Sequence, residues 1–89
     1  AAAAMGMINF VVPEAELDAE TDKLASRLAT CPTHVYGNTK ALFYRSLESE
    51  FESQLQAEAE YFADCSSRDD FREGVTAFIE KRKPEFTGR

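Results

Sequence analysis

The stretch LESEFESQLQAEAEYFADC, residues 47–65, decides the fold. Phe51, Leu55, Ala59 and Phe62 follow one another at spacings of four, four and three, the repeat that lines one face of an α-helix. The acids Glu48, Glu50, Glu52, Glu58, Glu60 and Asp64 lie off that line, with no basic residue between Arg45 and Arg68. The spacing predicts a long helix over 47–65 with its apolar stripe turned inward and its acids in water. Those six acids match the formal charge of −6 carried by the whole chain. Such a run reads first as a solvated face and second as a surface for a basic partner or subunit.

Working outward, the helical period continues on both sides. Upstream, a helix is predicted over 33–45 with Val35, Thr39, Leu42 and Phe43 inward; Gly37 is its weak spot, costing about 1 kcal/mol against alanine. Cys31-Pro32-Thr33 separates it from an earlier helix over 14–29, because Pro32 cannot continue a hydrogen-bond ladder but suits the start of the next helix. In that first helix Leu17, Leu24 and Leu28 share a face with Thr21 and Ala25, and Glu14, Glu16 and Asp18 crowd the start, where the helix dipole favours them. Downstream, Ser66 with Asp69 or Ser67 with Asp70 offers a capping box. A fourth helix follows, with Phe71, Val75, Phe78 and Ile79 on one face, Lys81, Arg82 and Lys83 in its last turn, and Pro84 as its stop. Ahead of all four, Met7-Ile8-Asn9-Phe10-Val11-Val12 is an apolar, β-rich run closed by Pro13 and reads as extended. A single strand has no partner within this chain, so it is either an arm lying on the helices or the end of a sheet formed by other sequence.

The expected fold class is therefore all-α: a short extended arm followed by four amphipathic helices. Residues 1–4 form an uninformative alanine run, 5–13 the arm, and 14–89 the helical domain. At 89 residues this is one small domain, and a chain of that length buries only about 60% of its unfolded surface. It should lean on a partner, a ligand or a neighbouring segment. With 44% hydrophobic residues, seven Phe and three Tyr, it is too apolar for intrinsic disorder. The acidic balance is poor for nucleic acid, and no run is long and apolar enough for a membrane span, so neither is an expected partner. No targeting signal is read at either end. Cys31, Cys65 and the lone His34 are too few for a structural zinc centre, so no metal ligands are expected. Free thiols suit a reducing, cytoplasmic setting.

No motif for an autonomous active site is present: no nucleophile elbow, dinucleotide-binding glycine pattern, P-loop or HExxH. Cys31 and His34 share one segment, but at a helix break with no orienting acid nearby. The useful coincidence lies at the C-terminal end. Phe78 and Lys81, three apart on a helix, place a ring beside an ammonium, a pair suited to a base and its phosphate. The plainer alternative makes Phe78 a core residue and the cations an answer to the helix dipole.

The run Asp70-Phe71-Arg72-Glu73-Gly74-Val75-Thr76-Ala77-Phe78-Ile79-Glu80-Lys81-Arg82-Lys83-Pro84-Glu85-Phe86 strongly resembles the closing signature of the enoyl-CoA hydratase/isomerase (crotonase) family. Met5-Gly6-Met7-Ile8-Asn9-Phe10-Val11-Val12-Pro13 is similar to the family's G-L-V-N-x-V-V-P segment, and Pro32-Thr33 followed by Thr39-Lys40 to its second C-terminal helix. The resemblance implies the C-terminal third of an enzyme acting on acyl-CoA thioesters by hydration or double-bond isomerisation. It implies a spiral core elsewhere in the protein, supplying the oxyanion hole and the proton-transferring acids. The helical region would cap the active site, build trimer or dimer-of-trimers contacts and help hold coenzyme A. Carried over by position, Phe78 and Lys81 match the aromatic and lysine that contact the nucleotide part of CoA. No catalytic residue falls within these 89 residues, the isolated chain is expected to be inactive, and no cofactor is implied beyond the CoA of the substrate. The ending Phe86-Thr87-Gly88-Arg89 resembles bacterial phenylacetyl-pathway isomerases. The competing class is an acidic helical interaction or dimerisation module without catalysis.

Overall fold

Pro13, with φ −56° and ψ 147°, ends the extended arm and starts a 3-10 turn over Glu14–Glu16. In the computed structural model, which describes all of residues 1–89, four helices follow: α1 (Leu17–Ala29), α2 (Thr33–Ser46), α3 (Phe51–Ser66) and α4 (Asp69–Glu80). There is no strand. The arm runs alongside α1 rather than pairing. Residues 1–7 form a turn held by Met5 N–H to the Ala1 carbonyl and Met7 N–H to the Ala2 carbonyl. A cleft of about 790 Å³, lined by Phe10, Val11, Val12, Leu17 and Leu24 among others, separates the arm from α1.

The hairpin of α2 and α3 is the best-tied part of the molecule. Its cross-links run in opposite order along the two helices, as an antiparallel pair requires. His34 meets Asp64, the Gln54 amide donates to the Leu42 carbonyl at 3.2 Å, and Arg45 donates to Ser53 Oγ at 3.0 Å. Phe62 and Phe71 join α3 to α4 edge to face, with centroids 6.3 Å apart.

The helix ends differ from expectation in four places, one being the third helix, which starts at Phe51 rather than at 47 because Glu50 is extended at ψ 151°. The first helix starts as a 3-10 turn. No capping box forms at the fourth: Ser66 Oγ and Ser67 Oγ donate backwards, to the Ala63 and Asp64 carbonyls at 2.9 and 2.7 Å, and so close α3. Arg68, extended at φ −88° and ψ 158°, precedes α4 without a side-chain cap. Finally α4 stops at Glu80, because Lys81 turns left-handed at φ 55°, and so Lys81, Arg82 and Lys83 lie past the helix rather than in its last turn.

The larger difference concerns which faces turn inward. On α3 the residues withdrawn from solvent are Gln54, Ala57, Tyr61, Asp64, Cys65 and Ser66, while Phe51 and Phe62 are 76% and 66% exposed. On α4 the inner face is Asp70, Glu73, Gly74 and Ala77, leaving Phe71, Val75, Phe78 and Ile79 open. Phe43 on α2 and Leu17 and Leu28 on α1 are open as well. Only Ala57, Ala77 and Asp70 are buried outright. Small and polar residues let the helices and the tail approach closely; the large apolar stripes find nothing in these 89 residues broad enough to cover them. Asp64 likewise leaves the acidic face expected of it and turns toward α2. The result is a plate 43 × 39 × 19 Å, no more than about two helix diameters thick.

Candidate functional site

The C-terminal signature folds into a strap that leaves Phe78 and Lys81 among its free residues. After Lys81 the chain doubles back along α4, and Asp70, Glu73 and Arg82 hold it there. The Asp70 carboxylate, 5% exposed in the first turn of α4, accepts the amides of Thr87 and Gly88, both at 2.7 Å. The Asp70 amide donates in turn to the Arg89 carbonyl at 2.7 Å. Glu73 receives both terminal nitrogens of Arg82, at 2.6 and 2.9 Å, and the amide of Glu85 at 2.8 Å. Those bonds hold the Glu73 carboxyl at about 2 instead of its ordinary 4.5, the Arg82 guanidinium being the main cause and the Glu85 amide the next. Arg82 reaches Glu80 too, at 2.6 Å, and the Glu73 and Glu80 carboxylates push its guanidinium still higher. The Phe86 ring sits over Gly74, so that a Cβ there would meet it at 3.5 Å.

Gly88 ends the strap with φ +81°, and a Cβ on it would lie 2.5 Å from Thr33 Oγ1 at the start of α2. Both the positive φ and the close approach demand glycine at this point.

Against this background Phe78 and Lys81 stand out. Phe78 is 85% exposed, not a core residue. Lys81 caps α4 in the left-handed conformation, its amide donating to the Phe78 carbonyl at 3.3 Å, and no ion pair engages its ammonium. Arg82 is spent on the strap, and Lys83 joins no ion pair either. The sequence reading found the free pair and missed the strap. The signal for the strap was present: an Asp at a helix start, a Glu and a Gly one turn on, and an aromatic two residues after a proline.

A second constellation lies between α2 and α3. His34 Nε2 is 2.5 Å from Asp64 Oδ2, and the Asn38 amide nitrogen, one turn on from His34, donates to Asp64 Oδ2 at 3.0 Å and to Cys65 Sγ at 3.3 Å. Arg68 donates to the other Asp64 oxygen at 2.9 Å. The His34 hydrogen bond, then Asn38 and Arg68, hold the Asp64 carboxyl far below the usual carboxylate range. Nothing in the sequence pattern signalled this gathering, since its members are up to 34 residues apart. Cys31 takes no part: its thiol donates to the Arg27 carbonyl at 3.2 Å, and it is not paired with His34. Both thiols are free.

The backbone matches an enoyl-CoA hydratase of Geobacillus kaustophilus at a TM-score of 0.90 and 34% identity, over 99% of this chain and 34% of that one. The profile of the enoyl-CoA hydratase/isomerase family matches residues 1–89, and the chain belongs to that family. It is 39% identical over 88 residues to a probable enoyl-CoA hydratase of Rhodobacter capsulatus, covering 99% of this chain and 34% of the relative. It is 38% identical over 84 residues to the 1,2-epoxyphenylacetyl-CoA isomerase of Escherichia coli, covering 94% and 32%. The chain thus spans about a third of the length of the relatives it matches.

Proposed function

We propose that these residues are the helical C-terminal third of an enzyme that hydrates or isomerises enoyl-CoA thioesters, in which they cap the active site, make contacts between subunits and hold the nucleotide end of CoA. Family membership and the closing signature support the reaction class. The open apolar faces of α1, α3 and α4 support the capping and subunit roles, since surfaces of that kind ask to be covered. The chemistry of proton transfer and oxyanion stabilisation falls to the rest of the polypeptide; the 89 residues alone are inactive. Free thiols and the absence of a helix long and apolar enough to cross a membrane are compatible with a reducing compartment such as the cytoplasm.

The observation that carries the CoA role is selective freedom within one signature. Asp70, Glu73, Gly74, Arg82 and Phe86 are all committed to the strap, while the Phe78 ring and the Lys81 ammonium are left open at the same helix end. A ring stacked on adenine contributes about 1–3 kcal/mol and is insensitive to salt. An exposed lysine meeting phosphate contributes less and is screened as salt rises. In the full-length enzyme, Lys81→Ala weakens CoA thioesters about two- to fivefold at low salt and leaves the corresponding pantetheine thioesters, which lack the nucleotide, unaffected. Equal shifts for both ligands, or none for either, would rule the nucleotide role out.

A further inference from the structure

We propose that His34 Nε2, Asp64 Oδ2 and Cys65 Sγ form a binding site for a borderline-soft divalent metal, Zn²⁺ in the first instance, which bridges α2 and α3. The three donor atoms lie within 4.8 Å of one another, each on a half-buried residue. They are of three kinds, imidazole nitrogen, carboxylate oxygen and thiol sulfur, and that mixture suits zinc and its neighbours rather than calcium or magnesium.

The hydrogen bonding marks where the ion sits. The Asn38 amide nitrogen is 3.0 Å from Asp64 Oδ2, 3.3 Å from Cys65 Sγ and 3.3 Å from His34 Nε2. The short His34–Asp64 contact needs a proton on His34 Nε2, so the NH₂ group donates to Asp64 Oδ2 and Cys65 Sγ and stands beside a third donor atom whose lone pair is freed once that proton moves to Nδ1. A cation in its place serves all three at once.

Electrostatics and reach are favourable. Loss of the Cys65 proton leaves a thiolate and the Asp64 carboxylate against one Arg68 guanidinium, a local charge of −1 for a dication to meet. Arg68 holds Asp64 by Oδ1 at 2.9 Å and so orients Oδ2 into the site, the role of an outer-shell partner. Zinc bonds of about 2.0–2.3 Å set tetrahedral donors roughly 3.3–3.8 Å apart. His34 and Asp64 therefore separate by about 1 Å as the metal enters, and the Asn38 amide swings aside. Binding is Zn²⁺ plus the Cys65 thiol and neutral His34, whose Nε2 proton moves to Nδ1, giving the zinc thiolate and one released proton, with water completing the coordination, so apparent affinity falls as pH is lowered. The site is independent of Phe78 and Lys81, which lie at the far end of α4.

The test is titration of the full-length, reduced protein with Co²⁺ and then Zn²⁺, following the thiolate-to-cobalt charge-transfer band and its loss as zinc displaces cobalt, with calorimetry for stoichiometry. The site predicts one metal per chain and a cobalt band that disappears in Cys65→Ser but persists in Cys31→Ser. His34→Ala weakens Zn²⁺ at least about tenfold and Arg68→Gln about tenfold, while Asn38→Ala still binds because its amide is displaced rather than ligating. Cys65→Ser is close to isosteric, so its result stands even where His34→Ala loosens the hairpin. No band, a band that follows Cys31, or zinc affinity unchanged in Cys65→Ser would overturn the site, as would loss of binding in Asn38→Ala.

Discussion

Lys81 occupies a position where glycine is the default residue. A left-handed lysine carries a steric cost of about 1 kcal/mol, and the Schellman-like bond from Arg82 N–H to the Ala77 carbonyl at 3.0 Å fixes it there. Lys81→Gly should therefore raise the thermal stability of the full-length enzyme by about 1 kcal/mol while lowering its affinity for CoA thioesters. A stabilised variant with undiminished affinity would show that the ammonium has no ligand. Gly88 in the strap and Gly74 beneath it on α4 make a contrasting pair. Gly88→Ala meets both a positive φ and Thr33 Oγ1 and should lose at least about 1 kcal/mol in chemical denaturation. Gly74→Ala brings its methyl only to 3.5 Å from the Phe86 ring, an ordinary contact, and removes a mid-helix glycine; it should be neutral or gain up to about 1 kcal/mol.

At the scale of elements, the strap is an electrostatic fastening with a defined pH window. The Glu73 carboxyl is depressed from 4.5 to about 2 in the folded chain, so its contribution is present above pH 4.5 and is lost as pH falls through about 2. Asp64 is depressed in the same sense, and the α2–α3 hairpin weakens with acid in the same direction. Amide exchange at Glu85 should therefore accelerate between pH 4.5 and 2, after correction for intrinsic rates, and in Glu73→Gln it should be fast already at neutral pH. Protection that survives in Glu73→Gln would assign the strap to Asp70 and Phe86 instead. The hairpin and the strap are the two firmly tied elements, whereas α1 packs chiefly on the 3-10 turn that precedes it.

The whole molecule is more open than a compact chain of its length. Its Cα radius of gyration is 16.8 Å, against about 12 Å for a compact chain of 89 residues. Its accessible surface is 7520 Å², against roughly 5,200 Å² for a compact 9.9 kDa protein. The excess of about 2,300 Å² is the size of an obligate interface. The isolated chain should accordingly self-associate through the stripes of Phe51, Leu55 and Phe62 and of Phe71, Val75 and Ile79. Light scattering that reports a strict monomer at about 100 μM, where contacts of roughly 6 kcal/mol are populated, would contradict this. Such assemblies should still turn over no crotonyl-CoA; activity within about tenfold of an intact relative would require the proton-transferring groups to lie within these residues, at a barrier difference of only about 1.4 kcal/mol.

The number, order and most limits of the helices were legible in the sequence, because helical periodicity, Pro13, Pro32 and the breaks near 46 and 66–68 are local properties of the chain; the late start of α3 at Phe51 was not. The family was legible for a related reason: Glu73, Gly74, Phe78, Lys81 and Phe86 stand at fixed spacings that a linear reading detects. Direction was not legible. The stripe of Phe51, Leu55 and Phe62 reads as inward-facing on hydrophobicity alone, yet within this chain it faces out, because burial is decided by which surfaces are available to meet, and the 89 residues offer small and polar ones. Nor could the sequence reveal that Asp70 grips Thr87 and Gly88, or that His34, Asn38, Asp64 and Cys65 converge on one point. Those contacts join residues 17 to 30 positions apart, and only the antiparallel packing of α2 on α3 and the return of the tail along α4 bring them within hydrogen-bonding distance.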